Sequence, residues 1–352
     1  MKKRSLQIGI NEIVEVTFGT MLNKPSISFF SGICDDINAI KQGDLFVAKN
    51  TEDAHEAIIK GAFGILFSGE IAINDKEVAW ISVDNLDQAL FKILRHFLIV
   101  GNKKLFLLSK EEFEILFQIL LPKNNVLCVN DNIVGLIHKV IDLENPYIFY
   151  HNESFVLRED WDLSGEISFL SNEKIPDDKI PFTLNSFSLF SMRIFYKSMD
   201  YTISLPKIFL QLLARILKLV EEYSFAIDLE NLSGLSCFKP LYLDIRGFTS
   251  KLGATNRVLI STENNRLYEQ YLAYFLMYAK YAKLKLFVPK IYAELFAPYA
   301  DVVIYENREE LFASLLDGKY NFALILGEKI EVFEERFKKQ EIEQSLFDFA
   351  EE

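Results

Sequence analysis

Gly43-Asp44-Leu45-Phe46-Val47-Ala48 is the stretch from which the rest of the chain is read. Gly43-Asp44 is a turn pair, because glycine reaches backbone angles that other residues resist, and Leu45 to Ala48 is a short apolar run suited to a buried strand. Asp53-Ala54-His55 and Lys60-Gly61-Ala62-Phe63-Gly64-Ile65-Leu66-Phe67 follow, which predicts a helix and then a second strand. Ala79 to Val83 reads as a further strand, Asp84-Asn85 as a turn, and Leu86 to Ile99 as a helix with one apolar face. Asp87 suits the positive end of that helix's dipole, and His96, set among Leu94, Phe97 and Leu98, reads as a packed structural histidine.

The far end of the chain alternates just as clearly. Strands at Arg257 to Ile260, Leu284 to Val288, Val302 to Tyr305 and Phe322 to Leu326 are separated by helices at Tyr268 to Ala282, Lys290 to Ala297 and Arg308 to Leu316. Such alternation specifies an α/β fold with a parallel sheet under covering helices, of Rossmann-like form. Tyr271, Tyr274, Tyr278 and Tyr281 recur at helical spacing and read as a packing stripe. A charged amphipathic helix carrying Val332, Phe333, Phe337, Ile342 and Leu346 closes the chain.

Composition sets outer limits. The 352 residues suffice for two or three domains with sizeable cores, and half of them are apolar. A net charge of -12 and a pI near 5.0 exclude nucleic acid as the expected partner, since phosphate contact depends on clustered lysine and arginine. Cys34, Cys128 and Cys237 lie far apart with no paired spacing, which predicts reduced thiols packed in a cytoplasmic protein. Met1-Lys2-Lys3-Arg4 is basic, but Gln7, Asn11, Glu12 and Glu15 follow, so no secretory signal is expected. The most apolar helical stretches, Ile208 to Val220 and Tyr268 to Ala282, carry charges and make poor bilayer spans. His138 and His151 are separated by mixed sequence and are not expected to bind metal.

The order of these motifs resembles the Mur ligase family, ATP-dependent enzymes that build the peptide stem of peptidoglycan precursors on a UDP-linked sugar, and most of all its D-alanyl-D-alanine-adding members. The family's first domain runs Asp-Ser-Arg, a spacer, Pro-Gly-Asp-Leu-Phe-Val-Ala, then Asp-Gly-His and Gly-Ala. Here Asp36 matches the aspartate, while Ile37 and Asn38 replace serine and arginine, Gln42 replaces proline and Ala54 replaces glycine. Ile37 cannot hydrogen-bond as the family serine does towards the uridine end of the substrate. Further on, Asn130-Asp131-Asn132-Ile133-Val134-Gly135-Leu136 resembles an Asn-rich family segment, though these asparagines are equally turn and helix-cap residues. Ala226-Ile227-Asp228-Leu229-Glu230, Arg246-Gly247, Asn264 or Asn265, and Gly327 match family positions in order.

The resemblance implies three segments: 1–100 as the UDP-substrate domain, 101–253 as a reduced central domain, and 254–352 as the Rossmann-like domain with a terminal helix. About sixty residues of the family's central domain have no counterpart, with the stretch that holds its magnesium ligands and modified lysine. The substrate-binding candidates it implies are Asp36, Gly43, Asp44, His55, Asn132, Arg246 and Asn265. The family's ATP loop is missing. Leu105-Phe106-Leu107-Leu108 runs into Ser109-Lys110-Glu111-Glu112-Phe113-Glu114, where three carboxylates face any triphosphate and no glycine lets the backbone wrap it. Ser109 with Glu112 makes a capping box instead. The leading reading is therefore a non-catalytic Mur-ligase-like protein of peptidoglycan precursor synthesis, without cofactor, that binds a UDP-N-acetylmuramoyl peptide or a wall-synthesis enzyme. A divergent ATP- and magnesium-dependent ligase comes second, and a structural partner without ligand third.

Overall fold

The turn at Gly43 takes a φ of +94°, and a Cβ there would stand 2.4 Å from Ser31 Oγ, so both backbone angle and space call for glycine. It feeds the strand Leu45–Val47, buried at all three positions. In the computed structural model, which describes residues 8–155, 165–170, 173–244, 246–251, 255–299, 301–317 and 319–338, this strand lies within a five-stranded sheet. Helix Thr51–Ile59 starts at Asn50, whose side chain accepts the Asp53 N–H at 2.8 Å, and leads to Gly64–Phe67, parallel to Leu45–Val47. Ala79–Ser82 adds on parallel, Ile33–Cys34 forms one edge, and Thr20–Met21 closes the other antiparallel.

Because strand side chains alternate, this sheet buries two faces. Phe46, Ile65, Phe67 and Trp80 pack under Ala54 and Ala57 of helix 51–59. Leu45, Val47, Leu66 and Ile81 face the opposite way, into a core shared with helices Ile10–Thr17, Leu86–Val100 and Ile133–Asp142. His96 sits on the second of these helices, half-buried, its Nε2 2.7 Å from Glu12 on the first. It is the packed histidine the sequence predicts.

Gly101 ends the 86–100 helix, and Lys104–Leu107 opens a second, all-parallel sheet ordered Ile167–Phe169, Lys104–Leu107, Tyr147–Tyr150, Val126–Val129. Leu105, Leu107, Ile148 and Tyr150 extend the core of the first sheet. Phe106 and Phe149 point to the other face, edge-on to Tyr223 and Phe225 respectively. Ala226 fixes that segment, since Asn124 donates to its carbonyl at 2.6 Å and accepts its N–H at 2.7 Å.

The chain divides into two compact units, residues 1–173 with 223–226 and residues 174–222 with 227–352. The second unit contains an antiparallel sheet of Thr183–Phe187, Met192–Tyr196 and Met199–Ile203, which the sequence reading did not anticipate. Its main sheet has six strands, of which Arg257–Thr262, Phe322–Leu326, Leu284–Pro289 and Val302–Tyr305 are parallel, as the alternation requires. Leu241–Leu243 and Thr249–Ser250 extend it antiparallel. In helix Asn265–Tyr278, Tyr271 donates to Cys237 O at 2.7 Å and Tyr274 to Leu189 O at 3.2 Å, whereas Tyr281 lies beyond the helix end, exposed. Helix Ile330–Arg336 buries Phe333; Ile342, Leu346 and the expected break at Gly253 fall outside the described residues.

Candidate functional site

Strand Ile33–Cys34 is an edge of the first sheet, and beside it helix 133–142 begins. Between the two lies a cleft of about 740 Å³, within the usual size of small-molecule sites. Asp36, Asp44 and Asn132, three of the sequence candidates, line it. Gly43 forms the turn behind Asp44. His55 is elsewhere: it sits on helix 51–59 over the sheet's other face, with Nε2 2.8 Å from Asn74 Nδ2 and 3.3 Å from Ala72 O. Arg246 and Asn265 belong to the second unit. Arg246 is exposed in a turn where its N–H donates to Asp244 at 2.8 Å, and Asn265 opens helix 265–278, its Nδ2 3.4 Å from Glu269. Asp36 and Asp44, close in sequence, thus meet Asn132, which the packing of helix 133–142 brings to the sheet edge.

Asn132 works as a helix cap. Its Oδ1 accepts Gly135 N–H at 2.8 Å, and its Nδ2 donates to Asp35 at 2.9 Å, tying the helix start to the loop after strand 33–34. Asp44 is 6% exposed; Lys41 N–H donates to its Oδ2 at 2.9 Å. Its Oδ1 lies in room left by Gly32, where a Cβ would come within 2.8 Å of that oxygen.

The walls are acidic. Asp35, Asp36, Asp44, Asp131 and Asp142 line the cleft, with Lys41 the lining lysine. Lys139 pairs with Asp131 at 2.8 Å, and His138 approaches Asp142 at 3.4 Å. The Cys34 thiol registers the field: burial foremost raises it, its contact with Asp36 O lowers it, and the carboxylates of Asp44, Asp35 and Asp36 raise it further. Sequence reasoning missed Asp35, Asp131 and Asp142; the adjacent Asp35-Asp36 was the available signal.

A second pocket of about 320 Å³ lies at the carboxyl ends of strands 104–107 and 147–150, where open parallel sheets commonly bind ligands. Its floor includes the start of helix Lys110–Ile119, closed by its own side chains: Ser109 Oγ accepts Glu112 N–H at 3.3 Å and Glu112 Oε2 accepts Ser109 N–H at 2.9 Å. Glu112 is 5% exposed. The buried carboxylate occupies the end of the helix that would otherwise attract an anion. Among the described residues, no group of three or more histidine, cysteine, aspartate or glutamate side chains is arranged to hold a metal ion, and no helix is long and apolar enough to cross a membrane.

No protein-family model matches the chain, and no curated protein matches it by sequence. Solved structures do match. MurF from Acinetobacter baumannii superposes with a TM-score of 0.60 over 95% of this chain and 99% of its own, at 11% identity. The fold is that of the Mur ligases. A second structure from that organism, UDP-N-acetylmuramoylalanyl-D-glutamyl-2,6-diaminopimelate–D-alanyl-D-alanyl ligase, gives 0.56 with the same coverage and identity. MurF ligase from Thermotoga maritima, solved in complex with ADP, gives 0.54 over 87% of this chain and 97% of its own, at 13% identity. The Mur-ligase-like α/β architecture inferred from motif order is therefore present, although few side chains are shared.

Proposed function

We propose that this chain is a non-catalytic protein of Mur ligase fold that serves peptidoglycan precursor synthesis in the cytoplasm by binding, either a precursor or an enzyme of wall synthesis. One observation carries the reading: the start of helix 110–119 is closed by the Ser109–Glu112 capping box. Activating a carboxylate with ATP requires a bound triphosphate and magnesium, and the phosphate cradle normally consists of free backbone N–H groups at such a helix start. Here a buried carboxylate takes one of those N–H groups and a serine hydroxyl another, and Glu111 adds a further negative charge. A triphosphate would have to displace Glu112 against its own charge.

Asp36, Gly43, Asp44 and Asn132 are the ligand-site residues of the first unit in this reading, and His55 stands on another face of that unit. A divergent ligase draws on one observation, the 320 Å³ pocket beside the same helix start. Phosphate release separates the two. With magnesium-ATP, a UDP-muramoyl tripeptide and D-alanyl-D-alanine, the protein is expected to release no phosphate above the rate without amine. Substrate-dependent turnover overturns the non-catalytic reading, and its loss in a Ser109→Ala, Lys110→Ala double variant would place a nucleotide at the helix start.

A further inference from the structure

The geometry points to a small-molecule site in the 320 Å³ pocket at the carboxyl ends of strands 104–107 and 147–150, one that takes an uncharged aromatic compound bearing a hydroxyl, a phenol in its chemistry. The volume lies at the lower end of small-molecule sites. Tyr150 ends strand 147–150 and lines this pocket, yet it is only 1% exposed. Its hydroxyl is buried and has no hydrogen-bond partner among the described residues. Buried tyrosine hydroxyls ordinarily find one, so a polar atom left bare on a residue that lines a cavity is a group kept for a ligand. Burial foremost, with the Asp131 carboxylate adding to it, holds this phenol protonated well above its usual range, so it is a donor at every working pH.

The neighbours choose the ligand. His151 follows on the same lining; its Nδ1 donates to Leu108 O at 3.1 Å, which leaves Nε2 of the neutral ring as an acceptor. A ligand hydroxyl answers both groups, accepting from Tyr150 and donating to His151. The wall is held in place, since Asn152 Nδ2 donates to Asn130 O at 2.9 Å and Asp131 O at 3.0 Å, and His151 N–H donates to Val129 O at 3.2 Å. Phe155 stands edge-on to Tyr150 at 5.3 Å, and together with Phe169 it adds ring surface to the lining, which suits an aromatic ring over a sugar or a peptide. Glu112 settles the charge. Its carboxylate is buried at the positive end of helix 110–119, where the dipole and Ser109 N–H balance it, so an anion would meet it at close range and a cation would find it already compensated. The proposal goes beyond the reading above and shares with it only the closed helix start.

The test is a ligand-observed NMR titration of the full chain with p-cresol, toluene, p-toluate and magnesium-ATP. p-Cresol is expected to bind, with toluene and p-toluate each about tenfold or more weaker. Tyr150→Phe, which removes the hydroxyl and keeps the ring, should weaken p-cresol about tenfold and leave toluene unchanged. The same variant should unfold at the parent's urea midpoint or above it, since no hydrogen bond is lost; a lower midpoint would reveal a partner within the protein and overturn the proposal. Phe169→Ala, at a half-exposed position, should weaken p-cresol and toluene alike. No p-cresol binding, binding no tighter than that of toluene, or binding unchanged in Tyr150→Phe overturns the proposal and leaves the non-catalytic reading standing. ATP that displaces p-cresol opens the helix start to phosphate and overturns both.

Discussion

Replacing Glu112 by alanine should lower the stability of the first unit by about 2 to 3 kcal/mol, because the loss combines a hydrogen bond to a charged group with a backbone donor left unpaired. The geometry sets this size: Oε2 lies 2.9 Å from Ser109 N, and the side chain is 5% exposed, so water replaces little of what is lost. Ser109→Ala should cost less, about 1 kcal/mol, since its Oγ contact of 3.3 Å is long for a cap. Both changes loosen the same helical turn, so the double variant should lose less than the sum. Urea unfolding followed by Trp80 fluorescence in a Trp161→Phe background reads the first unit, because Trp80 is fully buried within it and donates its indole N–H to Asp75 O at 2.7 Å. A Glu112→Ala variant within about 0.5 kcal/mol of the parent, the range of ordinary surface changes, would refute the closed helix end and with it the main support for a non-catalytic role.

Gly64→Ala should destabilise the first unit by about 1 to 3 kcal/mol, since the new Cβ would lie 2.3 Å from the Phe30 ring; Phe30→Leu in the same chain should recover part of the loss, and additive effects in the unfolding midpoints would contradict the contact. Lys103 is buried and donates to the carbonyls of Val140 and Leu143 at the end of helix 133–142; burial chiefly pulls its ammonium below the usual lysine range, against a smaller opposing pull from Glu144. Between its folded value and the ordinary one the unfolded chain binds more protons, so this residue makes stability climb with pH in that window, and Lys103→Met should flatten the climb in alkaline unfolding curves. Cys128, pushed up to about 11 by burial, should be about one-thousandth thiolate at pH 8, so iodoacetamide labelling followed by mass spectrometry should be slow and rise roughly tenfold per pH unit; labelling as fast as a cysteine peptide at pH 8 would contradict it.

The sequence by itself determined the elements that rest on local physics. Gly43 demanded a positive φ, Ser109 and Glu112 spelled a capping box, and the strands and helices from 257 to 326 could be read because each buries a strand or a helix face with its own period. The antiparallel sheet at 183–203 escaped that reading; its strands leave one side largely exposed, and only Met192, Ile194 and Tyr196 of the middle strand alternate cleanly. What only the tertiary structure decided is who meets whom. Ninety-seven residues separate Asp35 from Asn132, yet a hydrogen bond joins them because helices 86–100 and 133–142 pack into one core beside the edge strand. His55, close to Gly43 in sequence, went to the opposite face because Ala54 and Ala57 are the residues that fit under Phe46 and Trp80. The sign of the cleft follows from the same folding, since Asp131 and Asp142, at the two ends of helix 133–142, become neighbours of Asp36 and Asp44 only when that helix is laid beside a sheet edge, a long-range arrangement that no local pattern encodes.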